Sequence, residues 1–115
     1  MNKTVKKLDQ NVIKALTTVC ENAKLQVNGF EWLTHTANYA NFPASLVITC
    51  VFDNRQSIET AKLNQQDKIL RKLIQTQLLK TGVLLKDVRR HVLFDSEEAC
   101  DLEHNGNWNK RLAVN

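Results

Sequence analysis

Residues 46–53, with the sequence LVITCVFD, decide the fold because they are apolar or small at almost every position. Side chains of a strand alternate between its two faces, so a strand that is apolar at both odd and even positions needs cover on both sides. This stretch predicts the central strand of a sheet, and it raises the question of what covers each face.

The chain before this stretch predicts a helix and a second strand. Residues 4–27 carry apolar side chains at helical spacing and end at Asn28-Gly29, a pair that commonly terminates helices. Residues 30–36 are rich in aromatic and β-branched types. We expect them to form an antiparallel hairpin with the central strand, with Thr36 opposite Ser45 and Leu33 opposite Ile48.

The chain after the central stretch predicts two helices, a third strand and a last helix. The helices fall near residues 55–63 and 65–81, the strand at residues 91–94, and the last helix at residues 96–104. The fold class is therefore α+β, with elements in the order α-β-β-α-α-β-α. We expect one domain over residues 1–115, with helices packed on a small three-stranded mixed sheet.

Composition sets broad limits on function. The 115 residues include 16 Lys and Arg against 12 Asp and Glu, so the net charge is +4 and the pI about 9.1, which permits a nucleic-acid partner. No apolar run approaches the roughly 20 residues that a membrane helix needs, so we expect no membrane partner and a cytoplasmic location. Cys20, Cys50 and Cys100 are odd in number and widely spaced, which predicts reduced, packed thiols.

Common cofactor and catalytic motifs are missing from the sequence. It contains neither a glycine-rich phosphate loop nor a Gly-x-Ser-x-Gly elbow, and we predict no cofactor. Cys100 and His104 share a helix face at a spacing seen in zinc sites, but no second pair of ligands is evident, so no metal is predicted.

Asp53 and Asp95 are the candidate catalytic residues. They occur in the related patterns VFDNRQ and LFDSEE, where a predicted strand gives way to a helix. If the strands are parallel neighbours, both carboxylates emerge at one sheet edge, where they could bind a divalent cation or transfer a proton. The alternative, which we favour, is that each Asp caps its helix in a capping box with Gln56 or Glu98.

Basic residues concentrate in two segments and form a candidate nucleic-acid surface. Lys62 and Lys86 lie within the same segments. The candidate phosphate-binding residues are Lys68, Arg71, Lys72, Arg89 and Arg90. Helices are commonly charged on their solvent face, so this pattern also has a purely structural explanation.

The second face of the central strand predicts a further partner. We expect two amphipathic helices to cover one sheet face, whereas Val47, Thr49 and Val51 lie on the other with Phe30 and Trp32 of the neighbouring strand. Either the last helix and Trp108 cover this face, or a second copy of the chain does, and a two-fold homodimer is the commonest arrangement.

Four segments resemble a small uncharacterised bacterial family. They are residues 32–35 (WLTH), 42–46 (FPASL), 50–53 (CVFD) and 94–100 (FDSEEAC), so the resemblance spans most of the chain. Some members of that family carry an automatic label as Fis-like transcriptional regulators. Fis itself ends in a DNA-binding helix-turn-helix, whereas residues 105–112 offer no second helical unit, so the label transfers no DNA-contacting residue to this chain.

The sequence therefore predicts a non-enzymatic binding or regulatory module, dimeric and associated with nucleic acid. The alternative is a small hydrolase-like or metal-dependent enzyme that uses Asp53 and Asp95 at the sheet edge.

Overall fold

The computed structural model describes residues 3–113, and its elements follow the predicted order with one short helix added at the end. The elements are α1 (Lys3–Gln26), β1 (Phe30–Thr36), β2 (Val47–Phe52), α2 (Arg55–Leu63), α3 (Gln66–Lys80), β3 (Val92–Ser96), α4 (Glu97–His104) and α5 (Trp108–Ala113). Short 3-10 turns occupy Tyr39–Asn41 and Val88–Arg90. The predicted α+β fold is confirmed.

The predicted central strand lies in the middle of the sheet. The strand order is β1-β2-β3, with β1 antiparallel and β3 parallel to β2, which makes the sheet mixed. Ile48, Cys50, Val51 and Phe52 are fully buried, so β2 is covered on both faces, as its continuous apolar sequence requires.

The predicted register of the hairpin is wrong by two residues. Leu33 lies opposite Cys50 rather than Ile48, and Thr36 lies opposite Val47. Ser45 does not pair with β1, because its backbone N–H donates within the loop to the Asn41 carbonyl at 2.9 Å. Its hydroxyl also donates to the Asn38 carbonyl at 2.7 Å and accepts from the Asn38 amide at 2.9 Å. A shift of two residues preserves the side-chain faces of Leu33 and Thr34. The pairing is irregular between Phe30 and Trp32, however, so Phe30 lies opposite Phe52 and is buried in the main core, and its predicted place on the same face as Trp32 is wrong.

The main core lies between the sheet and the helices α1 and α3. Leu16 and Val19 from α1 and Ile74 from α3 are buried there with Ile48 and Phe52 of the central strand. Leu70, Ile74 and Leu78 of α3 are fully buried, whereas Ile69 is 40% exposed.

The short helices α4 and α5 cover part of the second sheet face. The indole of Trp108 packs edge-on against that of Trp32 at 5.0 Å between centroids. The Glu97 carboxylate accepts hydrogen bonds from both indole N–H groups, at 2.6 Å from Trp32 and 3.1 Å from Trp108. Leu93, on the same face, remains 45% exposed. The chain itself therefore covers the Trp32 end of this face, as one of the two alternatives predicted.

The turn between α1 and β1 depends on Gly29. Its φ of +84° lies in the left-handed region, and a Cβ placed there would approach the Ser57 side chain to 2.6 Å. A side chain at this position would meet both backbone strain and a clash.

Two further predictions concern the cysteines and the membrane. Cys50 and Cys100 are buried free thiols and Cys20 is a half-buried one. Burial raises the pKa of Cys50 to about 12, so this thiol is unreactive near neutral pH. Within residues 3–113, no helix has the length and apolarity needed to span a bilayer.

Candidate functional site

Asp95 lies at the carboxyl edge of the parallel strand pair, as predicted, but its charge is matched by Arg111. The guanidinium contacts both carboxylate oxygens, with Nε at 2.6 Å and Nη2 at 2.9 Å, and both side chains are largely buried. Such a two-point pair is a strong form of charge-assisted hydrogen bonding. Arg111 comes from α5, so this pair joins the last helix to β3.

Arg111 serves several acceptors at once. It also contacts the Glu103 carboxylate and donates from Nη1 to His104 Nδ1 at 3.2 Å. The hydrogen bond to Asp95 is the main reason that the pKa of Arg111 lies above its usual range. Glu103 and His104 thus hold α4 to Arg111 of α5, and Cys100 is a buried free thiol of α4. In residues 3–113, no three His, Cys, Asp or Glu side chains are grouped closely enough to hold a metal ion.

Neither Asp53 nor Asp95 caps a helix, so the capping interpretation of both residues is wrong. Asn54 caps α2 by accepting from the Ser57 amide, and Ser96 caps α4 by accepting from the Ala99 amide. In each case the cap is the residue after the predicted one.

The predicted capping-box partner of Asp95 also has a different role. The Glu98 carboxylate accepts from the Arg55 backbone N–H at 3.1 Å, so it contacts the start of α2. Asp53 is exposed and its carboxylate accepts from the Asn54 amide at 2.8 Å. The sheet edge therefore holds the two predicted carboxylates, each with partners of its own, and no hydrogen bond joins them among the described residues.

A cluster of Asp9, His35 and Tyr39 was not predicted. Asp9 Oδ1 accepts from the Tyr39 hydroxyl at 2.5 Å and lies 3.1 Å from His35 Nε2. The hydrogen bond from Tyr39 is the largest cause of a lowered Asp9 pKa, and burial together with Asp9 raises the Tyr39 pKa. The cluster ties α1 to β1 and to the following loop, and Tyr39 then packs against Phe42 with ring centroids 5.1 Å apart.

The predicted basic residues divide into engaged and unengaged groups. Arg71 pairs with Asp67 at 3.1 Å and its guanidinium lies over the Phe94 ring at 5.4 Å. Arg89 is held by Asp87 through three hydrogen bonds of 3.1 to 3.3 Å. The remaining three are exposed and have no carboxylate partner among the described residues. They are Lys68, Lys72 and Arg90.

A cleft of about 470 Å³ lies at the opposite, amino-terminal end of β2 and β3. The loop before β2 forms one wall and the segment before β3 forms the other. The lining residues are Phe42, Pro43, Ala44, Leu84, Leu85, Lys86, Asp87, Arg90 and His91. Its walls are mostly apolar, with a small number of charged groups, which is the usual make-up of a small-molecule site.

His91 supplies a buried polar group to this cleft. Its side chain is only 8% exposed, and its Nδ1 lies 2.7 Å from the Leu46 carbonyl oxygen. Nδ1 carries the hydrogen, because a carbonyl oxygen can only accept. Nε2 has no hydrogen-bond partner within residues 3–113. In the same residues, every side-chain nitrogen or oxygen that solvent cannot reach does have a hydrogen-bond partner. Nε2 must therefore be reachable from solvent, and the cleft is the cavity that His91 lines.

The rim of the cleft has a net positive charge. Lys86 and Arg90 form no ion pair in the described part of the chain, although the charge of Arg90 is close enough to Asp87 to help lower the pKa of that carboxyl. The one acidic lining residue, Asp87, is already neutralised by Arg89. Sequence reasoning identified Arg90 as a basic surface residue but missed the cleft, because its two walls are about 45 positions apart in the chain.

Comparison of the chain with protein-family models, with curated proteins and with solved structures finds no significant match. The function must therefore be inferred from this chain's own residues.

Proposed function

We propose that this protein is a cytoplasmic, non-enzymatic binding module, and that the cleft lined by Phe42 and His91 holds a small organic anion. The observation that supports the proposal is that one cleft with apolar walls contains two cations without an ion-pair partner, Lys86 and Arg90, and an imidazole nitrogen without a hydrogen-bond partner. A cavity of about 470 Å³ falls in the range of small-molecule sites.

The cation pair favours an anion because charge-assisted hydrogen bonds are the stronger kind. The apolar walls favour a ligand whose body is a hydrocarbon, since burial of apolar surface on both sides adds to affinity. The Asp9 and Tyr39 hydrogen bond holds one wall in place through the ring contact between Tyr39 and Phe42.

The experiment is calorimetric titration with a panel of aliphatic and aromatic carboxylates. We expect Arg90→Gln to weaken the best ligand about tenfold, a change of about 1.4 kcal/mol. Lys24→Gln is the matched control, because it removes the same charge from an exposed lysine that does not line the cleft. The proposal fails if no carboxylate binds, or if both variants weaken binding equally.

Nucleic-acid binding is a second candidate, favoured by the lysines of α3. Lys68 and Lys72 lie four residues apart on one exposed helix face and have no carboxylate partner among the described residues. With Arg71 and Arg89 engaged elsewhere, they and Arg90 remain available for phosphates. Fluorescence anisotropy with labelled DNA and RNA tests this. Affinity should fall steeply with salt, and Lys68→Glu with Lys72→Glu should abolish it. A flat salt response would exclude it.

A homodimer is proposed through the outer edge of β1. No other strand among residues 3–113 pairs with this edge, and an apolar groove of about 340 Å³ lies where Leu33 and Thr34 meet Ile13 of α1. Two antiparallel copies of β1 centred on Leu33 would place each Glu31 opposite His35 of the other copy. An unpaired edge of this kind is a template for strand addition.

Light scattering during size-exclusion chromatography tests the dimer. We expect twice the chain mass for the native protein and a monomer for Ile13→Lys, since Ile13 is 48% exposed on the groove. A monomer mass for the native protein at all concentrations would contradict the proposal.

The alternative enzyme, with its site at Asp53 and Asp95, has less support because Asp95 is paired with Arg111. An Asp53→Asn variant that folds normally but loses turnover would favour it.

A further inference from the structure

We infer that the ligand of the cleft is a 2-hydroxy acid with an apolar side chain. This inference rests on the proposed function of the cleft and adds the chemical class of its ligand. It follows from the hydrogen-bonding state of His91, which the Leu46 carbonyl oxygen determines.

The tautomer of His91 determines whether Nε2 donates or accepts a hydrogen bond. With the ring neutral, the hydrogen sits on Nδ1, which donates to the Leu46 oxygen at 2.7 Å, so Nε2 is an acceptor. A ligand that fills the cleft displaces water from Nε2. A carboxylate alone has no hydrogen to offer a neutral ring in return, so it would leave this acceptor unpaired. The neutral tautomer of His91 therefore favours a ligand that carries a donor.

The positive rim of the cleft favours a donor group without a positive charge. An ammonium group could donate to Nε2, but Lys86 and Arg90 already make the rim positive. Asp87, which might have balanced the added charge, is held by Arg89 at 3.1 Å. A hydroxyl donates without adding charge, so the cleft favours a hydroxy acid over an amino acid of the same shape.

The lining of the cleft favours a hydroxyl that lies next to the carboxylate of the ligand. Arg90 and His91 are adjacent in the chain, and both line the cleft. The groups that would take the anion and the hydroxyl therefore border one cleft, so a ligand with its hydroxyl next to its carboxylate, a 2-hydroxy acid, fits this arrangement. Leu84, Leu85 and Phe42 then face the hydrocarbon part.

Three matched probes test the inference by calorimetry at pH 8. They are 2-hydroxy-4-methylpentanoate, 4-methylpentanoate and leucine, which carry a hydroxyl, a hydrogen and an ammonium at the same carbon. We expect the hydroxy acid to bind about 3- to 10-fold tighter than the unsubstituted acid, as one net hydrogen bond predicts. Leucine should bind more weakly than either.

A second measurement avoids any variant that might not fold. Long-range nitrogen–proton NMR spectra report the Nε2 shift of His91 directly. We expect 4-methylpentanoate, which displaces water from Nε2 and offers no hydrogen, to move this shift further than the hydroxy acid, whose hydroxyl replaces the hydrogen bond from water. Equal affinities for these two acids, with equal Nε2 shifts, would overturn the hydroxyl inference while leaving anion binding intact. Failure of all three probes and of the carboxylate panel would overturn both.

Discussion

Replacing either partner of the Asp95 and Arg111 pair distinguishes a structural role from a catalytic one. Arg111 has a second carboxylate, Glu103, whereas Asp95 has no other cation within reach in the described structure. Removal of Arg111 therefore leaves a largely buried carboxylate without a counter-ion. Removal of the Asp95 charge leaves Arg111 still paired. We predict that Arg111→Gln destabilises the protein more than Asp95→Asn does.

The magnitude follows from the burial of the pair. Exposed ion pairs contribute roughly 0.2–1 kcal/mol, and breaking a fully buried pair costs about 3–5 kcal/mol. The Arg111 and Asp95 side chains are 13% and 14% exposed, which places this pair between those limits. We therefore expect a loss of about 2–3 kcal/mol for Arg111→Gln and about 1–2 kcal/mol for Asp95→Asn.

Urea unfolding followed by tryptophan fluorescence and by circular dichroism is the assay. Because Trp108 lies on α5 against Trp32, fluorescence detects the release of this helix separately from global unfolding. Arg55→Gln, at an exposed pair with Glu103, is the control and should match the native protein. An Asp95→Asn variant that keeps native stability but no longer binds a divalent cation, or no longer turns over a substrate, would refute the structural role of the Asp95 and Arg111 pair.

Two further predictions concern other parts of the fold. Gly29→Ala should lower the free energy of unfolding by about 2–5 kcal/mol, because left-handed backbone strain of about 1–2 kcal/mol adds to the clash with Ser57. Gly82→Ala should cost the strain alone, because Gly82 has a similar φ of +86° and a Cβ there would meet nothing within 4 Å. The urea midpoint of each variant measures its loss of stability, and equal losses for the two variants would contradict the clash with Ser57. Hydrogen bonds from Tyr39 and His35 lower the Asp9 pKa below its ordinary 3.8, so the stability that Asp9 contributes is present above about pH 4 and is lost as pH falls further. Asp9→Asn should therefore lose less stability than the native chain between pH 4 and 2, and parallel acid unfolding curves would disprove this.

Hydrophobic patterning was enough to predict the fold. The continuous apolar run at residues 46–53 required burial on both sides, and its position between two helical patterns left few arrangements for a sheet of three strands. The register was not predictable, because it depends on Ser45 being held by Asn38 within the loop.

The helix caps show where local sequence stops being decisive. Asp53-Asn54 and Asp95-Ser96 each offer two residue types that cap helices well. The choice depends on where strand pairing ends, and Phe52 still pairs with Ser96 at the last rung. The two aspartates were thus correctly placed at one edge, but their partners were not predictable from spacing alone.

The cleft depends on long-range structure. Its apolar and basic residues are visible in the sequence near residues 84–90, where they suggested a phosphate surface. The role of His91 depends on the Leu46 carbonyl, which only the parallel pairing of β2 and β3 brings within 2.7 Å.

Chemical-shift mapping with 2-hydroxy-4-methylpentanoate tests the central claim most directly, because it locates the site as well as detecting binding. Backbone amides should shift in a saturable way around Phe42 and Ala44 and between Leu84 and His91, and these shifts should shrink in Arg90→Gln. Saturable shifts at the groove between α1 and β1 instead, or no shifts at millimolar ligand, would contradict the claim that the cleft is the binding site of this protein.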